Sequence, residues 1–153
     1  MVNDGNRIVI NTGLPGFLLI DRITEAGERH IIGAKNFVTA PVYSVVESLA
    51  QLGAYHVRFL TRFERHAFLL KITHCKISAG EVIDGQYLLY GTLTNRSDVA
   101  FTYRLQAKKG DETNIEGEFL YATVDYNRNF KRKRLQNHYR EVFSCLQNDI
   151  RTD

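Results

Sequence analysis

The sequence predicts an α+β domain in which an antiparallel sheet wraps around one long central helix, with an extra amphipathic helix at the carboxyl end. Three observations support this fold class. The apolar residues follow a two-residue period, change to a helical period between Pro41 and Phe63, and then return to the two-residue period. The connections between the later strands are short, which favours antiparallel neighbours. One apolar stripe at helical spacing follows the last strand.

Length and composition fit a single domain with one core. The chain has 153 residues, of which 44% are hydrophobic and 24% are charged. No apolar run approaches the roughly 20 residues that cross a bilayer, and the chain does not open with a signal-peptide pattern. Cys75 and Cys145 are far apart, so a reduced, cytoplasmic setting is expected. No metal-ligand spacing, phosphate loop or dinucleotide motif is found, so neither a metal nor a cofactor is expected.

The positive charge is concentrated at the carboxyl end. After Asp125 there are seven basic and three acidic residues, whereas the preceding chain has 13 basic and 14 acidic residues. We therefore divide the chain into a polar segment (residues 1–13), a folded domain (14–126) and a basic terminal helix (127–153). The domain itself lacks the basic surface of a nucleic-acid-binding protein, and neither nucleic acid nor a membrane is an expected partner.

The elements follow in order. Residues 17–23 and 29–38 predict two strands of a hairpin, with a turn at 25–28. Thr39 is the expected N-cap of the central helix, with Pro41 in its first turn. Ala50, Gly53 and Ala54 are small and would allow a sheet or another helix to approach closely. Four further strands are predicted at 66–78, 86–94, 99–107 and 115–123, and the last helix at 131–150.

Glu47 interrupts the apolar pattern of the central helix. A buried carboxylate is costly unless it is paired or used, because its charged form loses hydration. Gln51 lies one turn later on the same face, where it would orient Glu47 or satisfy a backbone group. Two interpretations of Glu47 stay open: a catalytic carboxylate, and a carboxylate held by hydrogen bonds to backbone or to a neighbouring subunit.

Three short motifs carry a resemblance to a known family. Residues 14–23 (LPGFLLIDRI) are similar to an opening P-F-L-L-[IV]-D-R-[IV], residues 47–51 (ESLAQ) to a helix motif E-x-x-A-Q, and residues 77–81 (ISAGE) to a strand end before P-G-D. In this order they resemble the 3-hydroxyacyl-ACP dehydratases, which have the hot-dog fold. The resemblance spans residues 14–125.

The chain departs from that family at its catalytic histidine. The family carries G-H-F-P-G between the second strand and the helix, whereas residues 36–42 here lead into the helix without a histidine. A second branch of similar proteins has a histidine after the first proline of the opening motif, and Gly16 stands there.

The resemblance implies a protein of fatty-acid or polyketide-type metabolism that acts on an acyl-pantetheine thioester of ACP or CoA. It also implies a dimer, with an acyl tunnel at the interface where Glu47 faces the neighbouring subunit's residues 39–42. Glu47 and Gln51 are the expected catalytic residues. The expected substrate-binding residues are Val42, Tyr43, Val46 and Ala50.

Three functions remain open. Dehydration needs a base and an acid, and Tyr43 is a candidate for the missing acid as well as for a tunnel wall. Thioester hydrolysis needs only one carboxylate, with the amides of Val42 and Tyr43 as donors to the thioester oxygen. The third function is a catalytically degenerate acyl-binding or scaffold subunit, which forms a heterodimer with an active homologue.

The histidines and the basic run at the carboxyl end are two further candidates for a functional role. His56 lies nine positions beyond Glu47, about half a turn around the helix, so it is expected to face elsewhere. The other four histidines fall in strand or tail positions typical of surface histidines. The basic run Lys131, Arg132, Lys133 and Arg134 is either the solvated start of a helix or a docking patch for an acidic carrier protein.

Overall fold

The computed structural model describes residues 18–126 and 131–148. In chain order the elements are β1 (Arg22–Ala26), β2 (His30–Pro41), α1 (Tyr43–Leu60), β3 (Arg65–Ile77), β4 (Val82–Arg96), β5 (Ala100–Lys109), β6 (Glu112–Asp125) and α2 (Lys131–Asn148).

The strands form one antiparallel sheet in the order β1-β2-β4-β5-β6-β3. Helix α1 packs on the inner face of the sheet against β2, β3, β4, β5 and β6, and α2 packs against β1 and α1. The predicted α+β class with an antiparallel sheet is therefore confirmed. Neither described helix is long and apolar enough to cross a membrane.

The core lies between α1 and the inner face of the sheet. Alternate residues of β5 and β6 point inward, and α1 contributes Val45, Leu49 and Leu52, which are completely buried. At Gly53 an added Cβ would collide with the hydroxyl of Tyr121. The prediction that small residues let the sheet approach α1 is correct at this position.

The beginning of the chain differs from the prediction. The first strand was expected at residues 17–23, but β1 starts at Arg22 and ends at Ala26, inside the predicted turn. The apolar residues before it pack without joining the ladder: Ile20 is buried, and the Leu19 amide donates to a side chain of α1. Residues 1–17, including the first part of the opening motif, lie outside the described residues.

The start of α1 was also predicted incorrectly. Thr39 is not the N-cap: it sits at a β-bulge of β2 with φ +44°, and its amide donates to the Asp84 carboxylate. Pro41 is the last residue of β2 instead of a first-turn residue, and Val42 is the N-cap without a side-chain capping bond. The ladder with β4 continues to the Pro41–Val82 pair. Strand β2 therefore runs almost directly into α1.

Strand β3 forms a long open edge of the sheet. It has 13 residues and pairs with β6 on one side, and within the described residues no strand pairs with its other side. Ala67 is its only buried residue. Five of its exposed side chains are large and apolar: Phe68, Leu69, Leu70, Ile72 and Ile77.

Candidate active site

Glu47 and Gln51 are held together on one side of α1. The Gln51 side-chain amide donates to a Glu47 carboxylate oxygen at 3.2 Å, and its carbonyl oxygen accepts the Leu19 amide at 2.8 Å. Because the Leu19 bond fixes which end of the Gln51 amide is the acceptor, the NH₂ group faces Glu47. Gln51 thus orients Glu47 and also satisfies a backbone group, the two roles that the sequence left open.

The Glu47 side chain is exposed, so the expectation of a buried carboxylate is wrong for the chain on its own. The helical period indicates which residues share a face, but it does not show that this face is covered. Glu47 still acts on the core, because burial first, then Tyr103 and Glu47, raise the pKa of the Tyr121 phenol. Tyr121 donates to the Ala50 carbonyl at 2.7 Å and pairs with Leu69 of β3. Glu47 lies about one helical turn before Ala50, and Tyr121 belongs to β6, the strand next to β3.

The predicted substrate-binding residues lie on that same side. Tyr43, Val46, Glu47 and Ala50 follow the i, i+3, i+4, i+7 spacing of one helix face. Tyr43 is 72% exposed, while Val46 and Ala50 are half-buried. We call these four residues the open face of α1. Val42, the N-cap, lies outside this spacing.

The Val42 amide is already occupied. It donates to the Glu81 carbonyl at 2.9 Å, so the expectation that it would donate to a thioester oxygen is wrong. The Val42 amide is occupied because the β2–β4 pairing continues up to the helix. The amide donates the last hydrogen bond of that pairing.

A shallow groove lies at the end of β3 and the start of β4. Its lining includes Ser78, Val82, Asp84, Lys109 and Asn114, but not Glu47 or Gln51. Asp84 connects the groove to the β2–α1 junction, because its carboxylate accepts from Thr39. This clamp was missed in the sequence, since its two residues are 45 positions apart.

His56 faces away from Glu47, as expected, and lies in the core. It is completely buried, with Nε2 2.7 Å from the Gly27 carbonyl and Nδ1 2.6 Å from the Tyr103 hydroxyl. Because a carbonyl only accepts, Nε2 carries the proton and Tyr103 donates to Nδ1. Burial first, and then His30 and Arg96, lower the pKa of His56, while the bond to Gly27 opposes this shift.

The shifted histidines predict acid sensitivity of the fold. Burial and then Arg58 also lower the pKa of His66. In the unfolded chain both imidazoles take up a proton near pH 6.5, while in the folded state they take it up only at a lower pH, so the free energy of unfolding decreases as the pH falls below about 6.5. Each histidine contributes at most about 1.4 kcal/mol per pH unit.

Urea unfolding at pH 7.5 and pH 5.5 measures this difference. The variant His74→Gln, at an exposed position, should keep the full pH dependence, while His56→Gln should lose part of it. Equal stability of the unmodified chain at both pH values would contradict the expectation.

A second polar cluster lies under α2. The Arg58 guanidinium stacks on Tyr139 at 3.8 Å and lies 4.9 Å from the Tyr55 ring, but its Nε has no hydrogen-bond partner among the described residues. Within the same part of the chain, His66 Nδ1 and the Tyr126 hydroxyl are also buried without a hydrogen-bond partner. These residues lie at the opposite end of α1 from its start, and we assign them no role in the site of Glu47.

The basic run at the start of α2 is partly described. The side chains of Lys133 and Arg134 are exposed, and those of Lys131 and Arg132 lie outside the described ones. Further along α2, Arg140 donates to the Arg62 carbonyl at 3.0 Å.

Comparison with solved structures identifies the fold. A thioesterase from Haemophilus influenzae matches with a TM-score of 0.64 and 12% identity, over 85% of this chain and 94% of that chain. The dehydratase heterocomplex ApeI:P from Xenorhabdus doucetiae matches with a TM-score of 0.61 and 10% identity, over 78% and 90%. A hypothetical thioesterase from Streptococcus pneumoniae, solved with coenzyme A, matches with a TM-score of 0.59 and 10% identity, over 69% and 87%.

These similarities establish the hot-dog fold for this chain. No protein-family model matches the sequence, and no curated protein matches it.

Proposed function

We propose that this chain processes acyl thioesters of CoA or an acyl carrier protein, with Glu47 as its catalytic group. One observation carries the proposal: Gln51 orients an exposed Glu47 carboxylate on the open face of α1 in a hot-dog domain. The structural neighbours support it, since they include thioesterases and a dehydratase.

A single carboxylate suits hydrolysis best. Glu47 would remove a proton from water, the oxygen would attack the thioester carbonyl carbon, and the C–S bond would break. The thiolate would leave and take up a proton, which gives a carboxylic acid and a thiol.

Dehydration of a 3-hydroxyacyl thioester needs a second group at the departing hydroxyl. Tyr43 is the candidate on the same open face, and the partner subunit is the other source. A dehydratase-like lyase is therefore the second enzymatic candidate, and an inactive acyl-binding or scaffold subunit is the third.

A dimer is part of the proposal. Leu69 and Ile72 of β3 pair with Tyr121 and Phe119, which point inward, so they lie on the inner face, yet they are 37% and 36% exposed. A second hot-dog subunit at this edge would cover them and enclose Glu47. The subunit would be a second copy or a related chain, and the acyl chain would lie in the tunnel between them.

The function is tested with purified protein and two substrate classes. Acyl-CoA and 3-hydroxyacyl-CoA, each also as the ACP thioester, are incubated with the protein while free thiol and enoyl absorbance are recorded. Thiol release supports hydrolysis, and enoyl product supports the lyase. Saturable acyl binding without turnover of either substrate class would favour an acyl-binding protein over an enzyme.

We also propose that the start of α2 docks an acidic carrier protein, with Lys131, Arg132, Lys133 and Arg134 as its contacts. The double variant Lys133→Glu/Arg134→Glu should weaken ACP binding about ten-fold or more at low salt, because it reverses two exposed charges. Titration of labelled ACP at 50 mM and 300 mM NaCl measures the effect. Unchanged affinity and an unchanged salt dependence would remove the patch from the proposal.

The compartment and domain organisation complete the proposal. Cys75 and Cys145 are both free thiols, which supports a cytoplasmic setting. Residues 14–126 would form the thioester-processing unit, and 127–153 would add the docking helix.

A further inference from the structure

Strand β3 carries only positive charges along its open edge. Its sequence, RHAFLLKITHCKI, contains Arg65, Lys71 and Lys76 together with two histidines, and it has neither aspartate nor glutamate. Any chain that pairs with this edge therefore meets a basic strand 13 residues long.

Two of these three basic side chains form no ion pair among the described residues. Arg65 binds Asp125 at 2.6 Å, whereas Lys71 and Lys76 are exposed and take part in none of the ion pairs among the described residues. Their Cα partners on β6 are Leu120 and Glu116, whose side chains lie on the outer face.

The nearby carboxylates of β6 make no ion pair with these lysines among the described residues. Glu116 binds Arg104 of β5 at 2.6 Å, so it is turned away from the edge. Glu118 accepts a hydrogen bond from Thr73 at 2.8 Å. Both lie on the neighbouring strand, one strand further from an incoming partner.

Antiparallel pairing of β3 with its own copy would concentrate this charge. Four lysine ammonium groups would lie along one seam without a carboxylate on either strand, and opposed like charges destabilise a strand pair. Lysines at a sheet edge commonly prevent pairing, but Phe68, Leu70 and Ile72 leave a large apolar surface at the same edge. The apolar side chains of this edge thus favour association, whereas its lysines disfavour pairing with a second copy of the same strand.

We propose that β3 pairs antiparallel with the edge strand of a second, different hot-dog chain, whose outer-face positions carry aspartate or glutamate opposite Lys71 and Lys76. This partner rests on the proposed function, since it would also supply the group that faces Glu47. The apolar residues of β3 provide the contact area, and the two lysines select the partner.

The chain itself provides a defined acidic probe. The variant Lys71→Glu/Lys76→Glu is mixed with the unmodified chain, and association is measured by energy transfer between labelled chains at 50 mM and 300 mM NaCl. The mixed pair should associate at least about ten-fold more tightly than two unmodified chains at low salt. Its affinity should fall as salt rises, while self-association of the unmodified chain should increase because salt screens the repulsion.

The matched control is Lys133→Glu/Arg134→Glu, which changes the net charge equally on α2. It should give no gain, and circular dichroism should show that both variants fold. If the double β3 variant does not fold, the single variants Lys71→Glu and Lys76→Glu carry the same test with a smaller gain.

Two results would overturn the proposal. One is self-association of the unmodified chain that is as tight as the mixed pair. The other is an equal gain from the α2 control, because the effect would then depend on net charge and not on β3. Neither measurement uses a substrate, so failure here is separate from failure of the thioester chemistry.

Discussion

Replacement of Glu47 by glutamine should lower kcat/KM for the accepted thioester by about 10² to 10⁴, the usual contribution of a general acid–base group. The amide keeps the size of the side chain and its contact with Gln51 but cannot take a proton from water. Since Glu47 is exposed, the free energy of unfolding should change by less than about 0.5 kcal/mol. Steady-state kinetics and urea unfolding of the same preparation separate the two effects.

The matched control is Glu64→Gln, at another exposed carboxylate just beyond the end of α1. It should keep full activity. Gln51→Ala should produce a smaller loss than Glu47→Gln, because it removes the group that orients the carboxylate and leaves the carboxylate in place. Full activity of Glu47→Gln would exclude Glu47 as the catalytic group.

Truncation of Phe143 to alanine should cost about 3–5 kcal/mol, a large share of the roughly 5–15 kcal/mol that stabilises a typical domain. Phe143 is 5% exposed, and its ring centroid lies 5.5 Å from the rings of both Phe59 and Phe63. The cost is large because α2 covers the end of the core around α1. Truncation of Phe143 therefore leaves a cavity lined by aromatic rings.

Denaturant unfolding measures this cost directly. Leu135→Ala on the same helix is the control, since Leu135 is 37% exposed and its truncation should cost much less. Equal costs for the two variants would mean that α2 does not pack on the core, and that the basic helix is a separate appendage.

The elements with a clear apolar period were predictable from the sequence. The central helix was predicted from 41 to 63 and is found at Tyr43–Leu60, and β5 and β6 alternate as expected. The strand at 17–23 was misplaced because residues 18–20 are partly or fully buried without strand pairing. Periodicity reports which residues are buried, but it does not report which of them join a ladder.

The candidate site was only half predictable. The spacing of Glu47 and Gln51 places them one helical turn apart, which the structure shows, whereas the Leu19 amide that orients Gln51 is 32 residues away. The exposure of Glu47 was also not predictable, because an apolar helix face can be covered by the same chain or by a partner. The open edge of β3 depends on the strand order, which local patterns do not fix.

The β2–α1 junction has a consequence for protein engineering. Strand β2 resumes its pairing with β4 after the bulge at Thr39 and continues to Pro41, and the Val42 amide donates to the Glu81 carbonyl at the next position. No spare chain length exists there to form a loop. Introducing a catalytic histidine of the dehydratase type would therefore require an insertion between Thr39 and Val42, along with release of the Asp84 clamp. A point substitution would leave the new side chain fixed by the strand pairing.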